Sequence, residues 1–414
     1  MSERRVNKVF TPRSADVNLR MYVRRPAAEK ALLRSVRKNT HSILFGASGN
    51  GKSWLYKKVL AEVGIPFRIA NCANASRQRS ITQEICSVLV DDGASKKTGY
   101  TETKNAGVSA YFASGSVEHS GNYDTKSSES LLHAFEQYSK KHNGEKILVL
   151  DNFERIFSSE ELMSELADLI ILLDDQRYAQ HSVTMLIVGT PTDVLDYFGR
   201  LPNFESVANR LEELPEVGGL TPSQVNEIIS SGFNDLGISY IDGHLDHVVE
   251  HIYKITLGIA QRVHEYGEVL AYVVEDNDWT LRPEQMDVAD KKWLDQSLRQ
   301  CYAAVESHLN SRETEVARRN QAIYVIGNRI TSHSFNSGDI DVKIQKEFPS
   351  TVPNTHMGIG TILAGLASGA SPLVRILPNS KEYTICDPRY LMCIRAMLYK
   401  ESQTQKVKKK KFRA

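Results

Sequence analysis

The chain has 414 residues, 41% of them apolar and 24% charged, a globular balance that excludes a fibrous or wholly disordered protein. At about 100–200 residues per domain it has room for two to four domains, and no apolar run approaches the ~18–20 residues of a membrane span. The formal net charge of +1 hides a segregation: residues 1–39 carry +8, residues 400–414 carry +6, and the body between them carries −13.

Basic ends on an acidic body suit contact with a polyanion such as DNA, and equally suit solubilising tails. Residues 1–8 are charged with no apolar segment behind them, and the five cysteines form no C-x-x-C pair. Both features lead us to expect a cytoplasmic protein with reduced thiols, neither secreted nor in the membrane.

In chain order, the first informative unit is the apolar run His41-Ser-Ile-Leu-Phe45, followed by Gly46-Ala47-Ser48-Gly49-Asn50-Gly51-Lys52-Ser53. An apolar-periodic stretch through Trp54, Leu55, Val59, Leu60 and Val63 comes next. Strand, glycine loop and helix in that order make G-x-x-x-x-G-K-S a phosphate-binding P-loop. Its glycines let backbone N–H groups turn inward, and the helix start adds its positive dipole end. Lys52 is placed to reach the β- and γ-phosphates of ATP, and Ser53 to set its hydroxyl on Mg²⁺.

Residues 65–69 read as a strand, and helical patterns follow near 80–90, 130–141 and 160–174. Residues 93–130 differ in texture, with 5 Gly, 8 Ser and 4 Thr among 38 positions. They read as an inserted β-hairpin or as a surface loop. Lys146-Ile-Leu-Val-Leu-Asp151 reads as a strand buried on both faces that delivers a carboxylate, Asp151, to the edge where such sheets bind ligands. Asp151 is the expected Walker B partner of Mg²⁺. A third buried strand, Thr184-Met-Leu-Ile-Val188, ends in Gly189-Thr190, whose hydroxyl could meet the γ-phosphate or simply close a turn. The βα alternation defines a doubly wound α/β domain.

Further on, a helical pattern begins near Leu245 and runs through Arg262. His244, His247 and His251 share one stripe on it, about 120° from the apolar face, and are expected to face water instead of a metal. Residues 290–309 read as one connector helix. Beyond it come a helix over 314–330, a second capped by residues 337–339 and stopped at Pro349, and a third over 354–368 capped by Asn354. Strands over 373–377 and 382–385 complete a helix–helix–helix–hairpin order, the winged-helix pattern. The third helix contains no Lys or Arg, so DNA contact would fall to Arg375, the N-terminal arm and the tail over 406–413.

The order G-A-S-G-N-G-K-S, I-L-V-L-D-N-F-E, L-I-V-G-T-P resembles the AAA+ and STAND branch of P-loop ATPases, as in origin-recognition-type initiators and NACHT or NB-ARC-like switches. Met21-Tyr22-Val23-Arg24-Arg25 with Glu29 and Leu32 is similar to that family's box beside the adenine. Thr256-Leu-Gly258-Ile-Ala-Gln-Arg262 resembles the lid helix with its sensor 2 arginine. The resemblance implies an arginine finger at Arg210, with a surface arginine as the plain alternative, a pore-lining role for the insertion and a C-terminal winged helix. Such hydrolases usually carry Glu directly after the Walker B Asp, where this chain has Asn152. Glu154 stands three positions on, either polarising water or serving as a helix-start carboxylate.

The expectation is thus a basic arm and adenine-side box over 1–39, an ATPase core over 40–215, a lid and connector over 216–310, a winged helix over 311–399 and a basic tail over 400–414. The implied activity is ATP hydrolysis with Mg²⁺ in a nucleotide-dependent switch or loader that associates with itself and with a protein partner, with DNA a candidate ligand of the basic arms. The alternative is a signalling or defence switch whose winged helix and tail bind protein.

Overall fold

The computed structural model describes residues 5–38, 40–90, 125–190, 207–241, 243–310, 316–353 and 356–412. The chain forms two compact units, residues 24–218 and residues 1–23 with 219–414. The insertion read over 93–130 lies almost wholly outside the described residues, as do Asn354 and Arg413.

In the unit over 24–218, α1 (Pro26–Arg37) leads into β1 (His41–Phe45), α2 (Lys52–Glu62), β2 (Phe67–Asn71), α3 (Cys72–Gln78) and α4 (Ile81–Val90). Then come α5 (Thr125–Lys141), β3 (Lys146–Asp151), α6 (Glu160–Leu172), β4 (Val183–Gly189) and the short β5 (Leu211–Glu213). The strands pair in parallel in the order β2-β3-β4-β1-β5. Every residue of β4 is buried, Thr184 included, as expected of its apolar run Met185–Val188 between two neighbours with both faces covered. Two apolar clusters flank the sheet, one around Leu148, Leu150 and Phe135, the other around Val149, Leu186 and Tyr56. The alternation along β3 sends successive side chains to opposite clusters. This is the doubly wound α/β P-loop core expected from the sequence.

The other unit is built from α7 (Pro222–Leu236), α8 (His244–Thr256), α9 (Ala260–Glu275), α10 (Glu284–Ser297), α11 (Arg299–His308), α12 (Arg318–Arg329), α13 (Ser337–Glu347) and α14 (Ile359–Leu366). The hairpin β6 (Val374–Ile376) and β7 (Tyr383–Ile385), α15 (Pro388–Met397), and the pair β8 (Leu398–Lys400) and β9 (Val407–Lys409) follow. Among the described residues no helix is long and apolar enough to cross a membrane.

Several expectations are corrected here. The pattern from Leu245 through Arg262 is two helices, because Leu257 and Gly258 both take left-handed backbone angles, φ 59° and 66°. The connector over 290–309 also divides, at Leu298. The second helix of the C-terminal set is capped by Asn336 in a capping box with Asp339. The third begins at Ile359 behind Gly358 and is shorter than read. His251 does not face water: its Nε2 lies 2.7 Å from Asp290 Oδ1. Among the described residues no cluster of metal-ligating side chains occurs.

The basic ends are not free arms. Phe10 is 0% exposed, its ring edge-on to Phe233 at 6.4 Å between centroids. The tail folds back as β9, where Lys408 pairs with Glu401, Lys409 with Glu306, and Lys410 with Asp287 and Asp290. Unit charge counted along a sequence cannot register such pairing.

Candidate phosphate-binding site

β1 ends at Phe45 and releases the chain into the glycine loop. Gly46, Gly49 and Gly51 hold φ values of 149°, 85° and 88°, so the loop bends as only glycine permits at low cost. A Cβ on Gly46 would lie 2.5 Å from the Val217 carbonyl oxygen, which also accepts from Asn50 Nδ2 at 2.9 Å. The remaining amide oxygen of Asn50 is buried without a partner.

α2 starts at Lys52, straight after the left-handed Gly51. The Lys52 ammonium donates to the carbonyls of Gly46 at 2.8 Å and Ala47 at 3.1 Å, curled over the loop's own backbone. Burial pushes its pKa down, while the carboxylates of Glu154 and Asp151 work against that shift. One residue on, Ser53 Oγ donates to Asp151 Oδ2 at 3.3 Å.

Asp151 sits at the carboxyl end of β3, beside Asn71 of β2 in the sheet register. Its Oδ1 accepts the backbone N–H of Asn152 at 2.9 Å, and its Oδ2 also accepts the Tyr56 hydroxyl at 3.0 Å. Asn152 takes a left-handed conformation and donates its amide to Asn71 Oδ1 at 3.3 Å. That turn swings the chain into the 3₁₀ segment Phe153–Arg155, anchored by fully buried Phe153, and presents Glu154 toward the end of β4. Glu154 Oε2 accepts the Thr190 N–H at 3.3 Å.

Lys52, Ser53, Asp151, Glu154 and Thr190 therefore meet at one sheet edge. Arg210 does not sit on a helix: it ends a turn just before β5 and pairs with Asp174. Arg262 belongs to the other unit, on the first turn of α9, paired with Glu265 at 2.5 Å. Tyr22 and Val23 also fall in that unit, with Val23 in its apolar core. Glu29 of the same sequence box accepts from Arg25 N at 2.8 Å and Arg24 Nη2 at 2.8 Å.

Three site residues went unread in the sequence. Tyr56 carries no motif signal, only its spacing of three from Ser53 on a helix. Buried Glu84 accepts the Asn71 N–H at 2.9 Å and so braces the neighbouring strand end. Cys72 follows it, its thiol pushed up to about 12 by burial and by the negative charges of Asp151, Glu154 and Glu84.

The residues fit a triphosphate with a hard divalent cation. Three glycines at positive φ bend the loop, the Asn50 amide oxygen is buried there without a partner, and the hydroxyl–carboxylate pair of Ser53 and Asp151 is an oxygen donor set of the kind Mg²⁺ takes. Fold and loop together define a P-loop nucleoside-triphosphatase core. Residues 36–198 match the family model described as AAA domain.

The Aeropyrum pernix ORC2 protein in its ADP form is similar in fold over 94% of this chain and 98% of that one, at 15% identity and a TM-score of 0.50. A Walker-type ATPase of Pyrococcus abyssi, PABY2304, covers 90% of this chain and 96% of its own at 15% identity and a TM-score of 0.47. For Cdc6p of Pyrobaculum aerophilum the figures are 94%, 97%, 15% and 0.43. Among curated proteins none matches the sequence.

Proposed function

We propose that the protein binds ATP with Mg²⁺ at the Gly46–Ser53 loop and hydrolyses it slowly, using nucleotide state as a conformational switch. The observation that carries this reading is the 3.3 Å hydrogen bond that brings Ser53, at the start of α2, to Asp151 at the end of β3. Backbone amides of the loop and the α2 N-terminus would bind the phosphates. Lys52 would exchange the carbonyls of Gly46 and Ala47 for phosphate oxygens. Ser53 and Asp151 would hold the Mg²⁺, which neutralises charge building on the phosphates.

Water attack on the γ-phosphate requires a base or an orienting group. Glu154 is held against the Thr190 N–H beside Asp151, so it is placed to orient that water, with Thr190 adding its hydroxyl. The lytic carboxylate comes from a turn and not from the residue after Asp151, which is consistent with slow turnover. Arg262 would release Glu265, and Arg210 would release Asp174, to act on the γ-phosphate of the same or a neighbouring subunit. Tyr22 and Val23 would line the adenine. Substituting Lys52→Ala should abolish nucleotide binding, whereas Glu154→Gln should retain binding and lose turnover. Retained turnover in Glu154→Gln would remove Glu154 from the mechanism.

The C-terminal helices with the β6–β7 hairpin are read as a winged helix. An isolated antiparallel bridge between Phe335 and Tyr383, with bonds of 2.9 and 2.7 Å, lies beside the hairpin, which supports that reading. As to its ligand, α14 carries no cation and three of the tail lysines, Lys408, Lys409 and Lys410, are engaged within the chain, which favours a protein partner over DNA. DNA association would then rest on groups such as exposed Arg375 and Lys406. Binding measured at two salt concentrations with Arg375→Ala and Lys406→Ala separates the two, since phosphate contacts give a steep salt slope that falls as cations are removed.

A further inference from the structure

The aromatic residue one turn beyond Ser53 touches the metal-side carboxylate, and no P-loop motif requires it. Tyr56 is 0% exposed, with its ring edge-on to Phe67 at 6.3 Å between centroids. Phenylalanine would fill that space equally well, so packing alone does not account for the hydroxyl. A buried hydroxyl needs a partner, and the atom that this one meets is Asp151 Oδ2 at 3.0 Å. The same oxygen accepts from Ser53 at 3.3 Å, and the other carboxylate oxygen accepts from Asn152 N.

The two donors to Oδ2 differ in kind. Ser53 is short, and its hydroxyl is the group expected to turn toward a cation. The phenol has two side-chain torsions, both fixed by burial, and among the described residues its hydroxyl bonds to this carboxylate. We infer that Tyr56 is a positioning residue: its hydroxyl fixes the rotation of the Asp151 carboxylate, so that the cation site stays formed when Ser53 changes partner. This inference rests on the proposed nucleotide site. Mg²⁺ demands near-ideal octahedral geometry, and groups that orient a ligand from behind typically alter metal affinity 10- to 100-fold when removed.

The test is a Mg²⁺ titration of full-length wild-type and Tyr56→Phe proteins binding a non-hydrolysable ATP analogue, read by calorimetry, with EDTA controls and urea unfolding of each. The expected result is unchanged affinity in EDTA and a half-saturating Mg²⁺ concentration raised about ten-fold. In turnover assays excess Mg²⁺ should then restore kcat. An unchanged half-saturation point overturns the inference, whatever happens to the urea midpoint. In an Asp151→Asn background Tyr56→Phe should add nothing further, and an equal extra shift there would show that the hydroxyl acts elsewhere. A wild-type chain that binds the analogue with no Mg²⁺ dependence would defeat the site assignment itself, an outcome distinct from either of these.

Discussion

Lys410 donates to Asp290 at 2.9 Å, joining the final described segment to a carboxylate that is 0% exposed on α10. The same carboxylate accepts from the Tyr266 hydroxyl at 2.8 Å and meets His251 Nε2 at 2.7 Å. Burial works to raise the Asp290 pKa, but the bond and charge of His251 and the ammonium of Lys410 outweigh it and hold it below the ordinary carboxylate value. A buried carboxylate deprived of one of these donors loses about 1–3 kcal/mol. Lys410→Met should therefore lower the urea midpoint and speed proteolysis of the segment after α15. A midpoint equal to wild type would show that β9 closes without this bond.

Phe10 fills a socket between two helices. A Cβ on Gly232 of α7 would lie 2.4 Å from its ring, and one on Gly267 of α9 would lie 2.6 Å from it. Phe10→Ala should cost about 3–5 kcal/mol by emptying that socket. Gly267→Ala should cost about 1–3 kcal/mol by overfilling it. Their denaturation curves, measured singly and together, should reveal partial compensation in the double variant, because the added methyl enters the space that the ring vacates.

Acid should loosen the same region. His264 Nδ1 accepts the Thr11 N–H at 3.3 Å, and burial pushes its pKa down to about 4 from the ordinary 6.5. Between those values the unfolded chain takes up a proton that the folded chain refuses. The stability tied to this neutral imidazole is complete above pH 6.5 and declines as pH falls toward 4, at up to about 1.4 kcal/mol per unit. His264→Asn, which keeps an acceptor for Thr11, should flatten the fall between pH 7 and pH 5. Parallel slopes for the two proteins would assign the acid loss to other groups.

Gly46→Ala should be damaging for two reasons: its φ of 149° and the 2.5 Å approach of the new methyl to the Val217 carbonyl. A strain of about 1–3 kcal/mol would be relieved by displacing the loop from Val217, so nucleotide affinity should fall together with stability. Full affinity in this variant would mean that the loop binds phosphate in a different shape.

The parts legible in the sequence were those where local pattern and global environment agree. The runs at His41–Phe45, Lys146–Asp151 and Val183–Gly189 are buried strands, and their order along the chain placed Asp151 beside Ser53. Helix continuity was less legible, because the break falls at Leu257 and Gly258, both left-handed, for Leu257 against residue preference. The water-facing assignment of His251 failed because α8 is packed by α7, α9 and α15 and so has more than one covered side. Charge counts at both ends were accurate, but they could not foresee a buried phenylalanine among the first basic residues or carboxylates waiting for the last ones. Tyr56 was hidden for a similar reason: its partner is 95 positions away.

Residues 1–23 and 219–414 build one unit, and the stretch between them builds the other. During synthesis Phe10 emerges long before Gly232 and Gly267 exist, so its ring must wait while the whole nucleotide core is made. The core can fold from one uninterrupted stretch of nascent chain, whereas its companion must hold an unsatisfied aromatic side chain in reserve. A ribosome pause after residue 218 would therefore leave a complete P-loop core preceded by a Phe10 ring that has not yet met its partners.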